Sequence, residues 1–157
     1  MKCVYIMYMH RKATAIDLPC ACTTLRKATR ALSRIYDDAL AAAGMNVTQL
    51  AILRAIGRAG DGGAPLSRLA ESLVMDKTSL YRGLGPLIRS GWVVVTQAGK
   101  GRTKLVRLTT EGRRATDAAA EPWEAAQSRV VDAFGVERWA ALHETIADLA
   151  AVGVRLG

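Results

Sequence analysis

Apolar and small residues recur in steps of three and four through residues 23–43, at Leu25, Ala28, Leu32, Ile35, Tyr36, Ala39 and Leu40. That spacing predicts an amphipathic helix, with Thr23 or Thr24 as its cap and Gly44 as its stop. Arg26, Lys27, Arg30 and Arg34 cover its other faces. A second helix is predicted over "QLAILRAIGRAG", capped by Thr48 and apolar at Leu50, Ile52, Leu53 and Ile56. "DGGAP" then reads as a turn, and Pro65 leads into a short helix over 66–73.

The stretch "MDKTSLYRGLGPLIRSGW" (75–92) opens and closes as a helix. Asp76 is its natural N-cap, Leu80, Leu84, Leu87 and Ile88 form the inward stripe, and Gly91 ends it. Its leading turns show Lys77, Thr78, Tyr81 and Arg82 to solvent. Pro86 has no amide to offer residue 82 and can bend the trailing half. "WVVVTQAGKGRTKLVRL" changes period. Residues 92–96 and 103–108 are β-rich, and "QAGKG" between them is a hairpin tip. Two strands alone are marginal, so this ribbon must lean on neighbouring helices. From Thr109 the helical period returns to about residue 131, interrupted near Glu121 and Pro122. A last helix over 136–152 aligns Val136, Trp139, Leu142, Ile146, Leu149 and Val152. The fold class expected is mainly α with a small β-hairpin wing.

Composition supports close helix packing: half of the 157 residues are hydrophobic, but only one is Phe, and alanine is abundant. The 22 Lys and Arg against 14 Asp and Glu give a formal charge of +8, which favours a polyanionic partner. No stretch approaches the roughly 18–20 apolar residues of a membrane span. Residues 1–19 read as a loosely packed lead-in, because the apolar run at 4–9 is short and is followed at once by His10, Arg11 and Lys12. A cytoplasmic protein is expected. Cys3, Cys20 and Cys22 all fall near one end and cannot staple the body of the fold.

Two short helices, a tight connection and a basic-tipped hairpin make a winged helix-turn-helix. Its second helix would enter the major groove with its first residues at base edges. Lys77 and Arg82 can meet phosphate or guanine; Thr78, Ser79 and Tyr81 can donate to phosphate or touch a thymine methyl. An ordinary solvated surface helix is the bland alternative, and Tyr81 could equally pack against the wing. Lys100, Arg102, Lys104 and Arg107 alternate along or beside the hairpin tip, and Arg102 is placed for a narrow minor groove. The first helix and the last two have apolar faces that the small central domain cannot cover, so a helical homodimer is expected.

"SRLAESLVMDKTSLYRGLGPLIRSGWV" and "GRTKLVRLTTEGR" resemble the MarR family of bacterial transcriptional regulators, and the resemblance spans about residues 20–152. It implies homodimeric winged-helix repressors or activators, controlled by small phenolic or lipophilic effectors or, in some branches, by cysteine oxidation. On it, Lys77, Thr78, Ser79, Tyr81 and Arg82 fall on the recognition helix and Arg102 on the wing arginine. Leu108, Thr109 and Gly112 fall on the motif that starts the following helix. The family commonly carries an aspartate two residues before the wing arginine, and here that position is Lys100. The wing is therefore expected to act by charge more than by sequence. The domain reading is a dimerisation helix over 20–45, a DNA-binding region over 46–108 and C-terminal dimerisation helices over 109–157. The expected partner is double-stranded DNA bearing a near-palindromic operator.

An effector pocket is expected where the dimerisation helices meet the winged domain, near Leu25, Leu32, Tyr36, Ile52 and Trp123. Cys20 and Cys22 are open to three readings: oxidation-sensing thiols, residues lining an effector site, or small fillers. His10 and His143, the only histidines, show no ligand spacing, so neither a metal nor another cofactor is expected. No nucleophile–base pair has motif spacing, which disfavours an enzyme. A protein-binding helical adaptor is the alternative from a different class.

Overall fold

The computed structural model describes residues 18–97 and 103–156. Helix α1 (Ala21–Leu40) leads through a 3-10 turn (Ala41–Ala43) into α2 (Val47–Arg58) and a two-residue strand, β1 (Ala64–Pro65). Helices α3 (Leu66–Ser72) and α4 (Lys77–Arg89) follow, then strands β2 (Val93–Gln97) and β3 (Lys104–Leu108). Helices α5 (Thr110–Ala118), α6 (Ala120–Phe134) and α7 (Val136–Leu156) complete the order. This is a winged helix-turn-helix, mainly α with a small antiparallel sheet. Lys100 and Arg102, at the predicted hairpin tip, lie outside the described residues.

The chain divides into two compact units, Met1–Arg34 and Ile35–Gly157, the division falling within α1. In the first unit α1 starts at Ala21, earlier than a Thr23 or Thr24 cap allows. Cys20 takes the capping place, its sulfur accepting from the amide and hydroxyl of Thr23. Cys22 and the basic residues Arg26, Lys27, Arg30 and Arg34 are exposed.

In the second unit α2 is capped by Asn46 and not by Thr48. The Asn46 side chain accepts from the Gln49 amide at 2.9 Å, and the Gln49 side chain accepts from the Asn46 amide at 2.9 Å. This reciprocal pair satisfies two free donors at once, which a threonine two residues later could not do. Asp37 accepts from the Val47 amide at 2.8 Å and so serves the same helix start.

Helices α2, α3 and α4 close around Leu50, Ile52, Ile56, Leu69, Leu80, Leu84 and Leu87, with Val93 and Val106 supplied from the sheet. Each such side chain contributes about 1.5–3 kcal/mol by leaving water. Ile88, expected on the inward stripe of α4, is instead 45% exposed. It lies roughly 80° around the helix from Leu80, at the edge of the buried face. The helix continues past Pro86 to Arg89. Gly91 adopts φ +70°, and its amide and that of Trp92 bond back to Ile88 and Leu87, closing α4.

The sheet order is β1–β3–β2, with Ala64 opposite Val106 and Val95 opposite Val106 on the other side. Strand β1 was not predicted. Pro65 both ends this edge strand, where its missing amide is harmless, and precedes α3. The break between α5 and α6 falls at Ala119, ahead of Glu121 and Pro122, so Pro122 sits in the first turn of α6, where its missing amide is free anyway.

The connection from α3 to α4 carries one backbone exception. Val74 adopts φ +50°, closing α3 as Gly91 closes α4, with its own amide bonded to Glu71 and that of Met75 to Ala70. A left-handed L-residue costs roughly 1–2 kcal/mol, and glycine's extra unfolded-state freedom returns about 0.5–1 kcal/mol of that. The valine side chain is 68% exposed, so little burial is forfeited by removing it. Val74→Gly is expected to raise Tm by about 2–3 °C; a lower Tm in thermal unfolding would contradict this reading of the turn.

Candidate nucleic-acid interface

Helices α3 and α4, joined through Leu73, Val74 and Met75, form the helix-turn-helix. Leu80, Leu84 and Leu87 anchor α4 in the core. By periodicity Thr78 and Arg82 fall opposite this buried stripe, with Tyr81 to one side and Lys77 at its edge, and all four are exposed. The end is rigid because Asp76 accepts from the Ser79 amide at 2.9 Å and from its hydroxyl at 2.6 Å. Ser79, predicted as a DNA contact, is half-buried and its hydroxyl is committed to the cap.

The Ser79 hydroxyl and amide hold the Asp76 carboxyl below the ordinary carboxylate range. A depressed pKa in the folded chain makes the cap fully effective above the unfolded value, and the contribution is lost as pH falls through the lowered one. Acidification through that window is expected to fray the first turn of α4 before its Leu84–Leu87 turn. Amide exchange at Ser79 measured against pH tests this, and protection that survives protonation of Asp76 would contradict it.

The wing base stands beside this end of α4. The Lys104 ammonium lies 5.7 Å from the centre of the Tyr81 ring, so the alternative of Tyr81 packing against the wing is realised while its ring stays exposed. Arg107 does not join Lys104. One residue out of phase on β3, it is half-buried, and its Nε donates to the Gly62 carbonyl at 3.2 Å. A notch of about 370 Å³ opens between α3, α4 and the wing, lined by Ser67, Lys77, Leu80, Tyr81, Thr103 and Lys104 together with Leu66. Ser67 and Thr103 carried no sequence signal, because only the fold brings them beside α4.

A second pocket of about 510 Å³ lies between α2 and α5. Leu53, Ile56 and Leu108 line it with Arg54, Arg58 and Arg113, and Asp61 and Asp117 also reach it. Arg113 meets Asp61 at 3.4 Å. The Arg54 guanidinium sits 4.0 Å over the Trp123 ring. Of the residues predicted for an effector pocket, Ile52 is fully buried, Tyr36 is buried with its hydroxyl donating to Gln127 at 2.6 Å, and Trp123 flanks Arg54. Leu25 and Leu32 belong to the first unit and are half-buried.

Among the described residues no group of three or more His, Cys, Asp and Glu side chains could hold a metal, and no single helix is long and apolar enough to cross a membrane. The stripe on α7 is exposed, with no residue of that helix buried.

No protein-family model matches the chain, and no curated protein matches it in sequence. Solved structures do. The M. tuberculosis transcriptional regulator MosR in complex with DNA superposes with a TM-score of 0.79 at 32% identity, over 87% of this chain and 98% of that one. A MarR-family transcriptional regulator from Rhodococcus sp. RHA1 gives a TM-score of 0.72 at 22% identity, over 89% and 96% of the two chains. CouR from Rhodococcus jostii RHA1 bound to p-coumaroyl-CoA gives 0.70 at 23% identity, over 81% and 88%.

Proposed function

The chain belongs to the MarR family of DNA-binding transcriptional regulators, and from that premise we propose a homodimeric repressor that reads a near-palindromic operator and is released by a small effector. The observation that carries this reading is the leading end of α4, where Lys77, Thr78, Tyr81 and Arg82 stand exposed together on a capped, core-anchored helix. In the major groove Arg82 and Lys77 reach guanine or phosphate, and Thr78 and Tyr81 reach phosphate or a thymine methyl. Lys104 contacts the backbone from the wing base. Lys100 and Arg102, outside the described residues, are assigned to the wing contact on the sequence resemblance alone.

The second copy is assigned to the exposed stripe of α7, with the dimerisation helices over 20–45 and 109–157 and the DNA-binding region over 46–108. Two recognition helices then face successive major grooves about 34 Å apart. The effector is assigned to the pocket between α2 and α5 and not to the fully buried Ile52. Its apolar wall and three guanidiniums, one of them paired with Asp61 and with Asp117 also on the lining, leave a small positive excess that suits a small aromatic or lipophilic molecule bearing one negative charge. CouR, which shares this fold, is a protein solved bound to p-coumaroyl-CoA.

Selection from a pool of random duplexes tests the reading. Enrichment of an inverted repeat with half-sites about 10 bp apart is the expected result; a pool that stays random through successive rounds would contradict it.

One observation favours a second mode of release. The exposed Cys20 thiol is held below the ordinary value by the Thr23 hydroxyl and amide, and Cys22 is exposed two residues on. A lowered pKa raises the reactive thiolate fraction. On this reading mild peroxide weakens operator binding and Cys20→Ser abolishes the effect. Unchanged affinity after full oxidation of both thiols would dispose of it.

A further inference from the structure

The notch between α3, α4 and the wing base gathers groups of one electrical sign. Lys77 comes from the recognition helix and Lys104 from the wing, with the hydroxyls of Ser67 and Thr103 on its wall and the buried Leu80 beneath. Among the described residues no acidic side chain lines it, whereas the pocket between α2 and α5 sets Asp61 and Asp117 among its arginines. Among the described residues neither lysine makes an ion pair. Lys104 is also steered: its ammonium rests over the Tyr81 ring, at the edge of the notch.

Two ammonium groups facing one open notch repel each other and stay hydrated in the free protein, and one anion between them relieves both. We propose that this notch seats a single backbone phosphate of the operator, gripped at once by Lys77 from the recognition helix and by Lys104 from the wing, with the Ser67 hydroxyl donating to it. The proposal rests on the DNA-binding reading above and adds to it. Phosphate contacts set register and orientation, and one phosphate held by both elements fixes the angle at which α4 enters the groove. Tyr81 acts here as a positioning residue, holding Lys104 toward the notch.

A scan of the backbone tests the shared grip. Operator duplexes each carry one neutral methylphosphonate linkage, placed in turn across a half-site, and are titrated with wild-type protein, Lys77→Ala and Lys104→Ala. Both lysines are exposed, and circular dichroism checks that the variants fold. The result expected is one linkage whose neutralisation costs the wild type about tenfold in affinity and costs each variant less than about threefold, the same linkage for both. Lys104→Arg should restore the wild-type sensitivity there.

If the two variants lose sensitivity at different linkages, or at none, the shared phosphate is wrong while the DNA-binding reading stands. If the wild type binds none of the duplexes, both fall. Inorganic phosphate at constant ionic strength separates a free anion from the backbone. Weakening of DNA binding by the wild type alone, absent in both lysine variants, would make the notch a free-phosphate site and overturn the proposal.

Discussion

Replacing Ile146 with glutamate is expected to leave the protein folded but monomeric, and to lower operator affinity by at least about a hundredfold. The reason lies in α7. Leu142, Ile146, Leu149 and Val152 recur on one stripe and remain between 36% and 40% exposed, and nothing on that helix is buried. A contiguous apolar face of this kind is a poor neighbour for water and a good one for its own copy. In a symmetric interface the substituted residue enters twice. Each buried carboxylate costs several kcal/mol unless paired, and the few apolar side chains around it cannot offset that. A monomer reads one half-site and forfeits the gain of engaging the second. Light scattering and operator titration on the same preparation test both parts. A variant that stays dimeric with full affinity would place the dimer interface elsewhere.

The second large effect is expected at Gly112, where Ala should lower Tm by about 6–12 °C, equivalent to about 3 kcal/mol. Helix propensity argues the other way, since alanine is better than glycine in a helix by about 1 kcal/mol. Geometry decides. A Cβ at residue 112 would stand 1.9 Å from the Trp92 carbonyl oxygen, a backbone atom that cannot swing aside. That oxygen accepts from the Thr109 amide at 3.0 Å. The Thr109 hydroxyl donates to the Gly91 carbonyl at 2.7 Å and accepts from the Gly112 amide at 2.9 Å. Pushing α5 away breaks this group of bonds, each worth about 0.5–1.5 kcal/mol, on top of overpacking at about 1–3 kcal/mol. It also unseats the end of the recognition helix, so DNA binding should fall with stability. Gly85→Ala, in α4 with only the flexible end of the Arg89 side chain within reach at 3.5 Å, is the control and should stabilise slightly. A Gly112→Ala variant as stable as wild type would show that α5 does not approach Trp92 so closely.

The parts of the fold legible in sequence were those whose cause is local. Asp76 as cap, Leu80, Leu84 and Leu87 as the buried stripe and Gly91 as stop all follow from spacing along one helix, and the structure places each so. Asn46 is legible in the sequence. An Asn followed three residues later by Gln is a start signal in its own right, stronger than a lone Thr48. Strand β1 was not legible, because two residues make a strand only through their pairing with β3, some forty positions on. Ile88 was ambiguous by angle, and packing against neighbours resolved it.

The same distinction runs through the site. Lys77, Thr78, Tyr81 and Arg82 all fall in the first two turns of one helix, so nearness along the chain alone brings them together. Lys104 is marked by the alternating basic run of the wing, but Ser67 and Thr103 come to the notch from a different helix and from the wing, and no spacing along the chain announces them. Arg107 looked like one more wing charge until the pleat of β3 turned it toward Gly62. Arg54 and Arg58 stand more than fifty positions from Arg113, so no spacing along the chain groups them and only the fold does.

Titration of the reduced protein into labelled intergenic DNA from upstream of its own gene, beside a scrambled duplex of equal length and at low and moderate salt, tests the central claim most directly. At least about a hundredfold preference for the upstream fragment at moderate salt, with two chains bound per site and affinity falling as salt rises, is the result this account predicts. Absence of binding to either duplex at low salt would contradict it.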